Sequence, residues 1–128
     1  MIGHGEIRVG DTVVPAFDRH ADWPAMRSLL RVFATDADKA FSQAVAAGFR
    51  VVTAMADDAF GQRGGRVKDP FGNIWRVVSR VEEVSDDEIW KRLQDPVYAE
   101  AMRAAQETLD AELGGRRRRG SSAPVKPS

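Results

Sequence analysis

Apolar and polar positions alternate from the first residues onward. Ile7 and Val9 fall on one side and His4, Glu6 and Arg8 on the other, so residues 4–9 read as a half-buried strand. Gly10-Asp11 supplies a hairpin turn and Thr12-Val13-Val14 resumes the strand, with Pro15 better suited to an edge or a bulge than to a central strand. Residues 18–27 form a polar loop holding His20, Trp23 and Pro24. Residues 28–35 alternate again, with Leu30, Val32 and Ala34 on one face and Leu29, Arg31 and Phe33 on the other. A helix follows: Thr35 or Asp36 caps it, Phe41, Ala44 and Val45 make its apolar stripe, and Gly48 stands where a C-terminal glycine is wanted. Residues 51–55, 65–68 and 74–81 supply further strands, so 28–81 runs β-α-β-β-β.

The pattern then turns helical. Ser85-Asp86-Asp87-Glu88 is a capping box, with Ser85 as cap, Glu88 at N3 and Val84 stapled against Ile89. That helix stops near Gln94, where Asp95-Pro96 reads as a new cap with proline at the first helical position. A longer amphipathic helix reaches about Leu113, its buried stripe being Tyr98, Ala101, Met102, Ala105 and Leu109. Beyond Gly114 the chain lacks apolar payload and is expected to be disordered.

The most specific stretch is Asp69-Pro70-Phe71-Gly72-Asn73, followed by Ile74-Trp75-Arg76-Val77-Val78. It reads as a tight turn feeding a strand, because Pro70 fixes φ, Gly72 bends freely, and β-branched and aromatic residues follow. With Phe60-Gly61-Gln62-Arg63-Gly64-Gly65-Arg66-Val67-Lys68 before it, the stretch resembles the last hairpin of the vicinal oxygen chelate superfamily: glyoxalases, bleomycin-resistance proteins and extradiol dioxygenases.

That resemblance implies an α+β fold built from βαβββ modules that form an open, cupped sheet. Residues 28–81 match the second module, and residues 4–17 match only the last two strands of the first. His4-Gly5-Glu6-Ile7-Arg8-Val9-Gly10-Asp11 resembles the PhnB-like branch of small glyoxalase-like proteins. The expected organisation is a glyoxalase-like domain over 1–94 (partial first module 1–27, second module 28–81, capping helix 85–94). A C-terminal helical extension over 95–113 and a disordered basic tail over 114–128 complete it. The missing opening elements imply a late start or a real truncation. A truncation would leave Ile7, Val9, Val13 and Phe17 exposed, and the helix 96–113 would cover them, from its own chain or a partner subunit, or else decorate the surface.

Composition narrows the class. With 128 residues, 43% of them hydrophobic, the chain is long enough for one domain with its own core. The absence of cysteine excludes disulfides and thiolate metal sites and makes a cytoplasmic location the default. No apolar run suits a membrane span and no secretory leader is visible. Five of the 19 basic residues fall in 114–128, which has no acid, leaving 14 against 19 acids in 1–113. The body is therefore acidic, which argues against nucleic acid as its main partner.

Metal-dependent members of the superfamily use histidine and glutamate ligands, and the resemblance places three of those positions at Val14, Arg31 and Arg76. None can bind a cation, so neither a metal nor another cofactor is expected. His4 and Glu6 share a strand face, but two ligands do not make a site. His4 is better read as a hydrogen-bonded strand-end residue, and His20, between Asp18 and Asp22, as a solvated loop histidine.

Period-two alternation puts Leu30, Val32, Trp75 and Val77 on the helix-packing side, and Arg31, Phe33, Arg76 and Val78 on the cup. Glu6, or a carboxylate from 82–88, could neutralise the arginines. Alternatively, Arg31 and Arg76 grip a polar or anionic planar ligand, with Phe33, Trp23 or Phe60 against its flat part; the candidate ligand set is Glu6, Trp23, Arg31, Phe33, Phe60, Arg76 and Val78. Residues 61–65, with Arg63 and Arg66, are a weak candidate anion nest and more plainly a hairpin loop at the pocket rim. Arg116–Arg119 is expected to be solvated tail rather than a nucleic-acid contact. The leading expectation is a metal-independent small-molecule binding protein, cytoplasmic and homodimeric. A metal-free enzyme with Glu6 or His4 as acid/base stands second, and a metal-dependent lyase or dioxygenase with relocated ligands third.

Overall fold

The computed structural model describes residues 3–120, with side chains through residue 114. Among the described residues, strands β1 (Gly5–Val9) and β2 (Thr12–Ala16) pair only with each other, in an antiparallel hairpin turned at Gly10. Pro15 is accommodated because β2 is an edge. Then come β3 (Leu29–Phe33), α1 (Ala37–Ala46), β4 (Arg50–Asp57), β5 (Gln62–Lys68) and β6 (Ile74–Arg80), with α2 (Asp86–Leu93) and α3 (Pro96–Gly120) closing the chain. The main sheet has the order β3-β6-β5-β4, with β3 parallel to β6 and the other pairs antiparallel.

Each helix begins at the residue that the sequence marks. The Asp36 carboxylate accepts from the Lys39 N–H, Ser85 Oγ from the Glu88 N–H, and the Asp95 carboxylate from the Val97 N–H. Helix α1 lies on one face of the sheet. Ala37, Val67 and Val77 are buried there, with Val32, Phe41, Ala44, Met55 and Trp75 packed around them. Gly65 is what lets α1 come so close: a Cβ there would sit 2.8 Å from the Phe41 ring. Ser79 Oγ fastens the start of α1, accepting from the Ala37 N–H at 2.7 Å and donating to the Ala34 carbonyl at 2.8 Å.

The Asp69–Asn73 turn knits three strands together. The Asp69 carboxylate accepts hydrogen bonds from the Phe71 and Asn73 N–H groups, the Asn73 amide and the Trp75 indole. Asn73 Oδ1 in turn accepts from the Ser28 N–H, and the Ser28 carbonyl from the Ile74 N–H, which aligns β3 with β6. Burial alone would raise the Asp69 carboxyl; the hydrogen bonds it accepts outweigh that and hold it below its ordinary value.

Two expectations are corrected here. Helix α3 does not cover Ile7, Val13 or Phe17 of its own chain, which are exposed at 52%, 44% and 60%. It packs on the far face of the main sheet, over β4 and β5, because that is where its polar groups find partners. It also runs to Gly120, past the end expected near Leu113 and into the stretch expected to be disordered. Arginine is a good helix former, and two glycines cost only about 1 kcal/mol each. Residues 121–128, the rest of the expected tail, lie outside the described residues.

The C-terminal half of α3 is tied down by Glu112, whose side chain is 10% exposed. It meets Lys68 Nζ at 2.9 Å, Arg50 at 2.6 Å and Arg27 at 3.5 Å. The Lys68 hydrogen bond, and after it that from Arg50, hold the Glu112 carboxyl below its ordinary value of 4.5 against the opposing effect of burial.

Two outcomes are expected. Asp69→Ala loses about 2–4 kcal/mol of stability in urea unfolding, since it orphans backbone N–H groups and the Trp75 indole together; a loss below about 1 kcal/mol would contradict the knitting role. The depressed Glu112 carboxyl adds stability that is fully present above its unfolded-state value of 4.5 and is lost as pH falls through its folded value. Unfolding midpoints of the parent chain should therefore drop below about pH 4.5, and Glu112→Gln should flatten that drop. Parallel pH curves for the two proteins would sink the assignment.

Candidate functional site

Across the face of the main sheet opposite α1, the register places like residues side by side. Arg31 of β3 pairs with Arg76 of β6, Arg76 with Arg66 of β5, and Arg66 with Thr53 of β4. Residues in register share a face, so three guanidiniums stand in a row that spans about 10 Å. The row towards the turn is Leu29, Ile74, Lys68 and Arg50. The row on the other side is Phe33, Val78, Gly64 and Ala56, which is apolar and small at its centre.

The arginines have few acids to balance them. Arg31 Nη2 donates to Gln62 Oε1 at 2.6 Å, and Arg66 Nη1 to the Ala105 carbonyl at 2.9 Å and Thr53 Oγ1 at 3.2 Å; all three acceptors are neutral. Among the described residues, Asp58 is the one carboxylate within ion-pair reach of the row, 3.7 Å from Arg76 Nη2. Its other oxygen already accepts from the Phe60 and Gln62 N–H groups. Burial, and next the charge of Arg31, lower Arg76 from its ordinary value, with Asp58 opposing; burial, and next the charge of Arg76, lower Arg66. Both remain cations at any working pH.

Over the β5 end of the row runs α3, leaving a cavity of about 460 Å³ between helix and sheet. Its floor includes Arg31, Arg66 and Arg76, and its helix wall Ala101, Met102 and Ala105. Phe60 stands at its edge, 46% exposed. This volume is in the range of small-molecule sites.

Of the residues that the sequence singles out, Arg31, Arg76 and Phe60 line this cavity. Phe33 is 62% exposed beside it, with the Arg31 guanidinium 5.4 Å from its ring centre, and Val78 is fully buried beneath. Glu6, His4 and Trp23 are not among the lining residues. Glu6 pairs with His4 at 3.1 Å on the β1–β2 hairpin, which shares no ladder with the main sheet. Trp23 packs on His20, with ring centres 4.3 Å apart, and edge-on to Phe17. The acid beside Arg76 is thus Asp58, not Glu6 and not one from 82–88; Glu82 and Glu88 are bound to Arg92.

Arg66 falls in the strand expected over 65–68, but the sequence reading groups it only with the neighbouring 61–65 loop and not with the cup; β5 begins earlier, at Gln62. The signal that finds it is the turn: closing the hairpin at Lys68 and Ile74 sets Arg66 opposite Arg76.

The positions that the family resemblance assigns to metal ligands do not fit a cation. Val14 lies on the separate hairpin, and Arg31 and Arg76 present only donors. Among the described residues, no three His, Cys, Asp or Glu side chains are grouped to hold one.

Comparison with known proteins adds the lineage. Residues 1–77 match the model of the Glyoxalase/Bleomycin resistance protein/Dioxygenase superfamily. Two uncharacterized mycobacterial proteins, Mb0911c of Mycobacterium bovis and Rv0887c of Mycobacterium tuberculosis, are each 49% identical over 55 residues. Those residues are 43% of this chain and 36% and 32% of the relatives, so the match spans about a third of their length. Among solved structures, TioX from Micromonospora sp. ML1 is similar with a TM-score of 0.52 at 22% identity, over 60% of this chain and 68% of that one. Protein PA1353 from Pseudomonas aeruginosa gives 0.50 at 21%, over 61% and 62%. At these identities the likeness concerns the fold.

Proposed function

The chain belongs to the glyoxalase/bleomycin resistance protein/dioxygenase superfamily, and from that premise we propose that it binds a small anionic molecule in the arginine-lined cup, without a metal ion. The observation that carries this is the in-register row Arg31–Arg76–Arg66, which has one carboxylate within ion-pair reach among the described residues. Like charges opposite one another in a sheet cost roughly 0.2–1 kcal/mol per pair. An anion that accepts from Arg31 and Arg76 turns this cost into charge-assisted hydrogen bonds. The role is sequestration or presentation of a polar or anionic metabolite or drug. An acid/base role for Glu6 or His4 draws no support from their place on the hairpin, away from the arginines.

Three further elements belong to this proposal. A PhnB-like assignment is supported by residues 4–11, and a cytoplasmic location by a chain without cysteine. A homodimer is supported by the exposure of Ile7, Val13, Phe17, Leu29 and Phe33.

Calorimetric titration of the full chain with small aromatic carboxylates is expected to give binding that their amides do not. Arg76→Met should weaken it at least tenfold, the loss of about 1.4 kcal/mol or more from a charge-assisted bond. The same variant should unfold at the same or a higher denaturant concentration, because it relieves repulsion along the row. Equal binding by Arg76→Met, or by the neutral amides, would sink the proposal. In light scattering the chain should run at twice its monomer mass; a monomer at tens of micromolar would remove the dimer from the proposal.

A further inference from the structure

The rows on either side of the arginines say more about the ligand than its sign. We infer that the cup takes a doubly charged head group, of the phosphate monoester or dicarboxylate kind, attached to an apolar body that lies beneath α3. This rests on the anion-binding proposal for the same cavity and goes beyond it in charge and shape.

The head group follows from a charge count. Arg31, Arg66 and Arg76 set three positive charges on the floor, and Asp58 offsets one of them. Asp57 also lines the cavity, but its carboxylate meets Arg63 at 3.3 Å on the α1 side of the sheet, where Asp38 of α1 also holds Arg63, so it is not placed at the row. Among the described residues, two charges at the row are left without a carboxylate partner. A monoanion leaves one of them without a counter-charge, at a row where Arg66 and Arg76 are half-buried and screening by water is weaker than in bulk. A dianion balances both and offers enough acceptor lone pairs for two planar guanidinium forks at once. Arg66 is already held by Thr53 and the Ala105 carbonyl, so the forks available to the ligand are those of Arg31 and Arg76. They are neighbours in register, about 5 Å apart in the sheet, a gap that one tetrahedral or dicarboxylate group bridges.

The body follows from what stands next to the row. On the side away from Lys68 and Arg50, the floor continues as Gly64 and Ala56, with the buried Val78 packed against Gly64 where a side chain would otherwise stand. From the helix wall Ala101 and Met102 add carbon to the lining, beside the neutral polar side chains of Gln62 and Gln106. Phe60 adds an aromatic face at the same end. On the opposite side of the arginines, Glu112 already occupies Lys68 and Arg50, so an anion finds no second berth there. Charge is therefore concentrated at one end of the ligand and apolar surface at the other, and Met102, flexible and polarizable, can fit bodies of varied outline.

Four probes separate the parts, titrated calorimetrically into the full chain at pH 7.5 and fixed ionic strength: phenyl phosphate, benzoate, inorganic phosphate and benzamide. Phenyl phosphate should bind at least tenfold more tightly than either benzoate or inorganic phosphate, and benzamide should not bind. Benzoate as tight as phenyl phosphate would overturn the doubly charged head while leaving the anion proposal intact. Inorganic phosphate as tight as phenyl phosphate would overturn the apolar body. If no anion binds more tightly than benzamide, the anion proposal itself falls. Phthalate in place of phenyl phosphate then tells a planar dicarboxylate from a tetrahedral head, the better ligand naming the kind.

Discussion

Strand register is the constraint on which the rest of this molecule depends. Because Arg31, Arg76 and Arg66 are partners across three neighbouring strands, their side chains have no choice but to share a face. A slip of one residue in β6 would carry Arg76 to the α1 side and bring Trp75 and Val77 out of the core, which no packing here could absorb. The register is set from outside the row, by the Asp69 turn. That turn fixes Lys68 opposite Ile74 and, through Asn73 and Ser28, Leu29 beside Ile74. Apolar burial on one face thus holds in place an arrangement of charge on the other that would not form by itself.

The seating of α3 is a consequence of the same row. A helix laid over bare guanidiniums would bury them unpaired, and α3 avoids this by giving up a backbone carbonyl, that of Ala105, to Arg66. Thr108 meets Thr53 at the end of that row, and Glu112 answers the Lys68 and Arg50 row one step along the strands. Small residues fill the helix face between and beyond these ties, so α3 roofs the sheet without filling it. It reaches only the β4 and β5 side, which leaves Leu29 and Phe33 of β3 exposed beside an open strand edge.

Much of this was legible in the sequence because it is local. The turn, the caps at Asp36, Ser85 and Asp95, and the faces of Arg31 and Arg76 follow from residue type and period two. Arg66 needed one further step, the pairing of β5 with β6 through the turn. What could not be read is what depends on contacts distant in sequence. The stripe Tyr98–Ala101–Met102–Ala105–Leu109 marks a buried face but does not say against what, and apolar periodicity cannot distinguish the hairpin from the cup. The choice fell to polar groups: the Ala105 carbonyl, Thr108 and Glu112 have partners on β4 and β5, while Ile7, Val13 and Phe17 offer none. For the same reason Glu6, placed in the cup by alternation alone, lies elsewhere: alternation orders residues within a strand and says nothing of which sheet the strand joins.

Arginines at positions where the resemblance places metal ligands have, on the proposed reading, a physical logic. A divalent ion held by imidazole and carboxylate draws ligand oxygens by charge and completes its shell with their lone pairs. Two guanidiniums side by side offer the same charge and the same appetite for oxygen, through directed N–H donors instead of an open coordination shell. Such a pair can grip and orient an anion, but it supplies no vacant orbital to polarise a carbonyl and no bound water of lowered pKa. On the proposed reading, arginines at these positions keep the cup's taste for oxygen-rich molecules. The repulsion built into the empty row fits that role, because a site costly to leave bare gains most from being filled.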